Sequence, residues 1–295
     1  MKTIDAYRLT IGQYKCVILK DLDFVYNPND FAVGVPQEKL NQQLLKYHGN
    51  TTSVPSPFIA MWINTGQDQI LIDTGCGFSE KPYSFNGQEV FFKGQLLNAL
   101  RNQGIDPAQI NKVILTHFHP DHVGGLFNDQ GESNFPNAEY VFHKIEWDFW
   151  FSEQSKVMPG LFLQFIERQI VPLKKYNARI LENQTDEIAP GINTILMPGH
   201  TPGHLMVSVE SGGQKMVYAT DTVLHPMHLE NPDWKTVFDY DPDMAVDSRK
   251  KLLQEASKEK YLVCMFHFAF PGLGQVSAED DHWTWQAVTE KEIVI

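Results

Sequence analysis

Cysteine is scarce in this chain: Cys16, Cys76 and Cys264 are the only three in 295 residues, far apart and without a CxxC pair. An odd, sparse count argues against a disulfide framework and favours buried free thiols. Positive charge is also in deficit, with 24 Lys and Arg against 36 Asp and Glu and a formal net charge of -12. Basic residues form nothing larger than pairs such as Lys174-Lys175 and Lys250-Lys251. Such a field repels polyanions, so no nucleic acid partner is expected, and small neutral or cationic substrates fit better. Long apolar runs are missing too. No stretch of eighteen occurs, so no membrane span or membrane partner is expected. Asp5, Arg8 and Lys15 break up the N-terminal stretch that a signal peptide needs apolar. The expectation is a soluble, cytoplasmic protein.

What is present is core-forming. Hydrophobic residues make up 42% of the chain and charged residues 20%, ordinary for a globular protein. Residues 58–73 place two apolar runs around Thr65-Gly66-Gln67-Asp68, a hairpin signature. Residues 205–221 do the same around Ser211-Gly212-Gly213. Both hairpins end on an aspartate, Asp73 and Asp221. Helices are expected over 91–103 with Gly104 as a stop, over 144–151 and 161–170, and over 242–259. The last has Asp241 as N-cap and Pro242 in the first turn. Tyr261 to Phe266 reads as a buried strand. Strands and helices alternate in two halves, which fits an α/β fold with helices outside two packed sheets. No linker or low-complexity segment appears, so residues 1–295 read as one domain. The first 55 residues are the least legible.

The chemistry concentrates at residues 112–125, KVILTHFHPDHVGG. An apolar strand, Val113-Ile114-Leu115, empties into His117, His119, Asp121 and His122. Alternation places His117 and His119 on one side of an extended chain, and Asp121 and His122 turn toward a second point. Imidazole nitrogen and carboxylate oxygen suit a divalent hydrolytic ion. Four candidates crowd one metal and suit two adjacent ones. Further candidates sit at other strand ends. His200 lies in a Pro/Gly turn after Ile195-Leu196, Asp221 closes Val217-Tyr218-Ala219, and His267 closes the strand ending at Phe266. A lone histidine is usually a core or surface residue. A His-x-His-x-Asp-His string has no such structural use.

This string, with His200, Asp221 and His267 downstream, resembles the metallo-β-lactamase superfamily from about residue 58 to 275. The resemblance implies an αββα sandwich with the site at one edge of the two sheets. It implies that His117, His119 and His200 hold one metal, that Asp121, His122 and His267 hold a second, and that Asp221 bridges them. Asp73 matches the family's aspartate that orients a ligand imidazole. Two divalent cations are the implied cofactor, with zinc the expected metal. A hydroxide shared by the metals would attack a carbonyl or phosphoryl centre, with Asp121 also moving a proton as the catalytic carboxylate.

Within the family, His119 stands where the flavodiiron branch carries glutamate, and Asp221 where zinc β-lactamases carry cysteine. The tRNA-processing nucleases share the ligand set, but their substrate conflicts with the acidic charge. Residues 198–204, PGHTPGH, resemble the N-acyl-homoserine lactonases. Residues 238–242 and 268–274 resemble the methyl parathion hydrolase-like group. These likenesses imply a quorum-quenching lactonase acting on a small-molecule lactone or ester. An organophosphate hydrolase is the alternative, and a glyoxalase II-like thioesterase, for which no basic glutathione pocket is evident, a more distant one. A homodimer is the partner state left open. One departure stands out: many such lactonases carry a tyrosine three residues after the bridging aspartate, where this chain has Leu224. His225 is a candidate to replace it, and Trp147, Trp150 and Phe268 are candidates for an aromatic substrate wall.

Overall fold

The computed structural model describes residues 5–85 and 87–288. The first four residues of the stretch read against a signal peptide, and residues 289–295 of the span read as one domain, lie outside the described residues.

Two seven-stranded sheets form the centre. The first runs in chain order through β1 (Ala6–Ile11), β2 (Tyr14–Leu22), β3 (Phe58–Asn64), β4 (Gln69–Ile72), β5 (Lys112–Ile114), β6 (Glu139–His143) and β7 (Ala178–Leu181). The second runs through β8 (Thr185–Ala189), β9 (Ile192–Leu196), β10 (Leu205–Ser211), β11 (Gln214–Thr220), β12 (Leu262–Met265), β13 (Leu273–Ala278) and β14 (Trp283–Ala287). Both expected hairpins form, with Asn64 opposite Gln69 and Ser211 opposite Gln214. Parallel pairing begins where a helical crossover intervenes, at β4 with β5 and at β11 with β12, as parallel strands require.

Side-chain alternation sorts the layers. Ile59, Met61 and Ile63 of β3 meet Val207, Val209, Met216 and Tyr218 in a core between the sheets. Ala60 and Trp62, one residue out of phase, join a second core with Leu96, Leu100 and Phe149 on the outer face. Val217 and Ala219 of β11 pack outward on Leu252, Leu253 and Ala256. The result is an αββα sandwich, and the middle core belongs to both sheets.

The helices are α1 (Gln37–His48), α2 (Leu96–Asn102), α3 (Pro120–Val123), α4 (Lys144–Trp150), α5 (Gly160–Phe165), α6 (Met227–Glu230) and α7 (Pro242–Glu259). Asp241 caps α7 by accepting from Met244 N at 3.0 Å, and Lys260 ends it in the left-handed conformation. The helix expected over 91–103 begins only at Leu96. Gly94 packs so closely that a Cβ there would lie 2.6 Å from Asp21 Oδ1, and Asp21 also accepts from Leu96 N at 2.8 Å, so this contact fixes the chain ahead of the first turn. The region expected to be helical over 161–170 divides into α5 and a π-helical turn, Ile166–Ile170. The poorly legible N-terminal part forms α1, whose Leu40 and Leu44 pack with Phe31 on Leu224 and Met227. No helix among the described residues is long and apolar enough to cross a membrane.

Candidate metal centre

The strands of both sheets end at one lip, and the polar residues that follow them converge there. Thr116 and His117 follow β5, Asp221 follows β11, and His267 lies two residues past β12. A backbone bond from Leu205 N to Thr116 O, 2.9 Å, ties the two sheets together at this lip. His119 precedes α3, and Asp121 and His122 lie within its single turn.

Two groups of potential ligand atoms result, each with all its atoms within 4.8 Å of one another. One comprises His117, His119, His200 and Asp221; the other comprises Asp121, His122, His267 and the same Asp221. Four imidazole nitrogens surround Asp221 Oδ2: His200 at 3.1 Å, His122 at 3.3 Å, His267 at 3.6 Å and His117 at 3.7 Å. His267 Nε2 also lies 3.5 Å from Asp121 Oδ2. Nε2 of His117 and of His122 are buried with no hydrogen-bond partner. Buried nitrogens left unpaired around one carboxylate oxygen make poor sense as a hydrogen-bond network. They fit a pair of divalent cations, whose ligands must be deprotonated imidazole and carboxylate.

Electrostatics follow from this crowding. Burial pushes the imidazoles of His117 and His119 well below the ordinary histidine range, and neighbouring imidazoles push the same way. Burial opposes ionisation of Asp221, but His122, His267 and His200 outweigh it and hold the carboxyl well below its usual range. Burial also opposes a proton on His200, yet Asp221 and Asp239 prevail and raise it to about 9.

Supporting carboxylates aim the rings. Asp73 Oδ2 accepts from His122 Nδ1 at 2.8 Å, while Asp73 Oδ1 accepts from Thr116 N and Oγ1, both at 2.9 Å. Asp239 Oδ1 lies 3.0 Å from His200 Nδ1 and is itself held through Oδ2 by the Thr236 hydroxyl at 2.8 Å. Each leaves Nε2 of its histidine facing the centre. His204 stands behind the ligands: Nδ1 meets Met197 O at 2.9 Å and Nε2 the Thr220 hydroxyl at 2.6 Å.

The other sequence candidates are distributed differently. Trp150 is buried, 6.0 Å edge-on from the His119 ring. Trp147 stacks on Phe142 at 5.1 Å in the outer core, and Phe268 packs in the α7 core, edge-on to Trp285. His225 is 1% exposed and turned to α1, with Nε2 2.6 Å from His48 Nε2. Leu224 is likewise packed under α1. Half-buried rings beside the ligands come from elsewhere: Tyr26, 5.8 Å from His267, and Phe162, 4.9 Å from His119. Sequence reasoning missed Tyr26, Phe162, Asp239 and Glu146.

Seven metal-competent side chains at the lip of an αββα sandwich define a metal-dependent hydrolase. The chain belongs to the metallo-beta-lactamase superfamily, whose pattern matches residues 60–267. An N-acyl homoserine lactonase of Bacillus thuringiensis is 27% identical over 220 residues, covering 70% of this chain and 78% of that protein. Among solved structures, the hydrolase AbOPH of the beta lactamase superfamily superposes with a TM-score of 0.85 at 27% identity, covering 99% of this chain and 100% of the other. AidC, a dizinc quorum-quenching lactonase, superposes at 0.83 with 24% identity over 96% of this chain and 97% of its own, a likeness of fold.

Proposed function

We propose that this enzyme opens the ring of neutral acyl lactones, of the N-acyl-homoserine type, using two zinc ions held by the seven clustered residues. The observation that carries this reading is the pair of ligand groups sharing Asp221, with the half-buried rings of Tyr26 and Phe162 beside one ligand of each group. The similarity to N-acyl homoserine lactonases supports the substrate class.

Bound there, two divalent cations supply Lewis acidity, lowering the pKa of water and polarising a carbonyl oxygen. The chain's own residues do the rest. His117, His119 and His200 define one binding point, and Asp121, His122 and His267 the other. Asp221, a member of both groups, would hold both ions and offset their mutual repulsion. Asp121, 9% exposed against 4% for Asp221, is the carboxylate more open to substrate. It accepts a proton from the attacking water and returns it to the ring oxygen as the acyl C–O bond breaks. Tyr26 and Phe162 offer apolar faces to an acyl tail and exclude water from it.

Among the described residues, no lysine or arginine forms an ion pair with Asp121 or Asp221. An anionic phosphodiester would therefore meet no side-chain cation there beyond the metal ions themselves. Neutral phosphotriesters are the second reading, favoured by the likeness of residues 238–242 and 268–274 to the methyl parathion hydrolase-like group. The test is kcat/KM for acyl lactones, a phosphotriester, S-lactoylglutathione and a phosphodiester on metal-reconstituted enzyme. Lactones leading supports the proposal; dominant phosphodiester or thioester cleavage overturns it.

A further inference from the structure

Glu146 is a carboxylate 1% exposed, with no lysine, arginine or histidine paired to it among the described residues. All its capacity goes to four donors. Oε1 accepts from Phe118 N at 2.9 Å and Trp150 Nε1 at 2.7 Å. Oε2 accepts from the Thr201 hydroxyl at 2.7 Å and Gly203 N at 3.0 Å. Phe118 lies between His117 and His119, and Thr201 follows His200. One side chain of α4 therefore grips both loops that bring the first group of ligands together, and those loops come from different sheets.

The surrounding sequence is shaped to allow this grip. A Cβ at Gly203 would lie 2.2 Å from Glu146 N, so only glycine lets the 198–204 loop approach α4 this closely. Two oxygens with paired acceptor sites suit four donors, whereas a carboxamide would turn an NH2 toward two of them. A buried, uncompensated carboxylate is costly unless its hydrogen bonds are all made. The second group of ligands is braced elsewhere, through the bonds of Asp73 to His122 and Thr116.

We propose that Glu146 is a positioning residue for one half of the centre: it sets the spacing of His117 and His119 against His200, and so the metal affinity of that half alone. This rests on the two-metal reading above, but it concerns binding and needs no substrate. The experiment is chelator competition on protein loaded with two zinc ions, with cobalt absorption spectra as a second readout. For E146Q we expect one equivalent to weaken about 10- to 100-fold while the other keeps its affinity. T201V, which removes one hydroxyl donor and little volume, shifts the same equivalent less. In an H267A background E146Q weakens the equivalent that remains; in an H200A background it does not. Equal weakening of both equivalents, or of neither in both E146Q and T201V, overturns the proposal. A wild-type protein that binds no metal overturns the two-metal reading itself.

Discussion

The hairpin β3–β4 delivers Asp73 and the hairpin β10–β11 delivers Asp221, in both cases from a strand end where a non-glycine residue takes a positive φ. The outlier is Asp73 itself in the first, at 62°, and Thr220 in the second, at 48°. Such conformations cost about 1–3 kcal/mol each and persist where surrounding structure imposes them. The two carboxylates are nevertheless used differently. Asp73 is fully enclosed and spends both oxygens on Thr116 and His122. Asp221 faces four imidazoles across 3.1–3.7 Å, and its Oδ1 has no partner at all. A carboxylate saturated by hydrogen bonds can only aim its neighbours; one ringed by four imidazoles, with Nε2 of His117 and His122 unpaired, is placed to bind cations.

The most severe way to break this comparison is Asp221→Ala. With the shared carboxylate gone, the two cations lose their common ligand and repel one another. We expect kcat/KM to fall by at least about 1,000-fold and elemental analysis to show fewer than two equivalents. A variant that keeps both metals and near-native turnover removes Asp221 from the centre.

Asp73→Asn tests the other carboxylate and isolates its charge, because asparagine tolerates positive φ. One ligand ring loses a charge-assisted bond while every ligand remains. The expected loss is about 10- to 100-fold in metal affinity, read by chelator competition. A loss as deep as that of Asp221→Ala would mean that Asp73 contacts metal or substrate directly.

A smaller effect probes what lies in front of the metals. Each methylene added to an acyl tail contributes about 0.8 kcal/mol if the wall buries it, or roughly fourfold in KM until the wall is covered. Tyr26→Ala and Phe162→Ala flatten this response, while Trp147→Phe leaves it intact because Trp147 is stacked under Phe142. KM measured across lactones of increasing chain length decides the matter; a slope insensitive to Tyr26 and Phe162 removes them from the wall.

The same contrast explains what could be read from sequence. His117 to His122 were legible because metal-competent side chains are dense there and have no packing use. Helix α7 was legible because Asp241 and Pro242 mark its start by local chemistry alone. The hairpins were legible from turns that need no distant partner. Asp239 and Glu146 were not, because each is a single acid whose role depends on a loop 39 or 55 residues away in sequence. Much of the first 55 residues stayed obscure for a related reason. Their order comes from packing Phe31, Leu40 and Leu44 on Leu224 and Met227, and short 3-10 and β pieces carry no periodicity. The aromatic wall was sought in 147–151, where rings are frequent, whereas most of those rings fill the outer core.

The smallest effect on the centre is expected from His204→Ala, which separates a histidine beside the metals from one that binds them. His200 and His204 share the PGHTPGH motif, and their rings lie 5.6 Å apart. Burial, then the neighbouring His200, pushes His204 down to about 3, so the ring is neutral at working pH. Both its nitrogens are engaged, by Met197 O and the Thr220 hydroxyl, and it brings no free nitrogen to the ligand groups. Through Thr220 it supports the positive-φ residue that presents Asp221. Removing it leaves a buried carbonyl short of a partner, a cost of about 1–3 kcal/mol, and loosens the strand end without emptying it. We therefore expect a lower Tm with two metal equivalents retained and kcat reduced modestly, in contrast to His200→Ala, which loses metal. A clear drop in stoichiometry for His204→Ala would make it a ligand, and the division between aiming and binding residues would have to be redrawn around the second sheet.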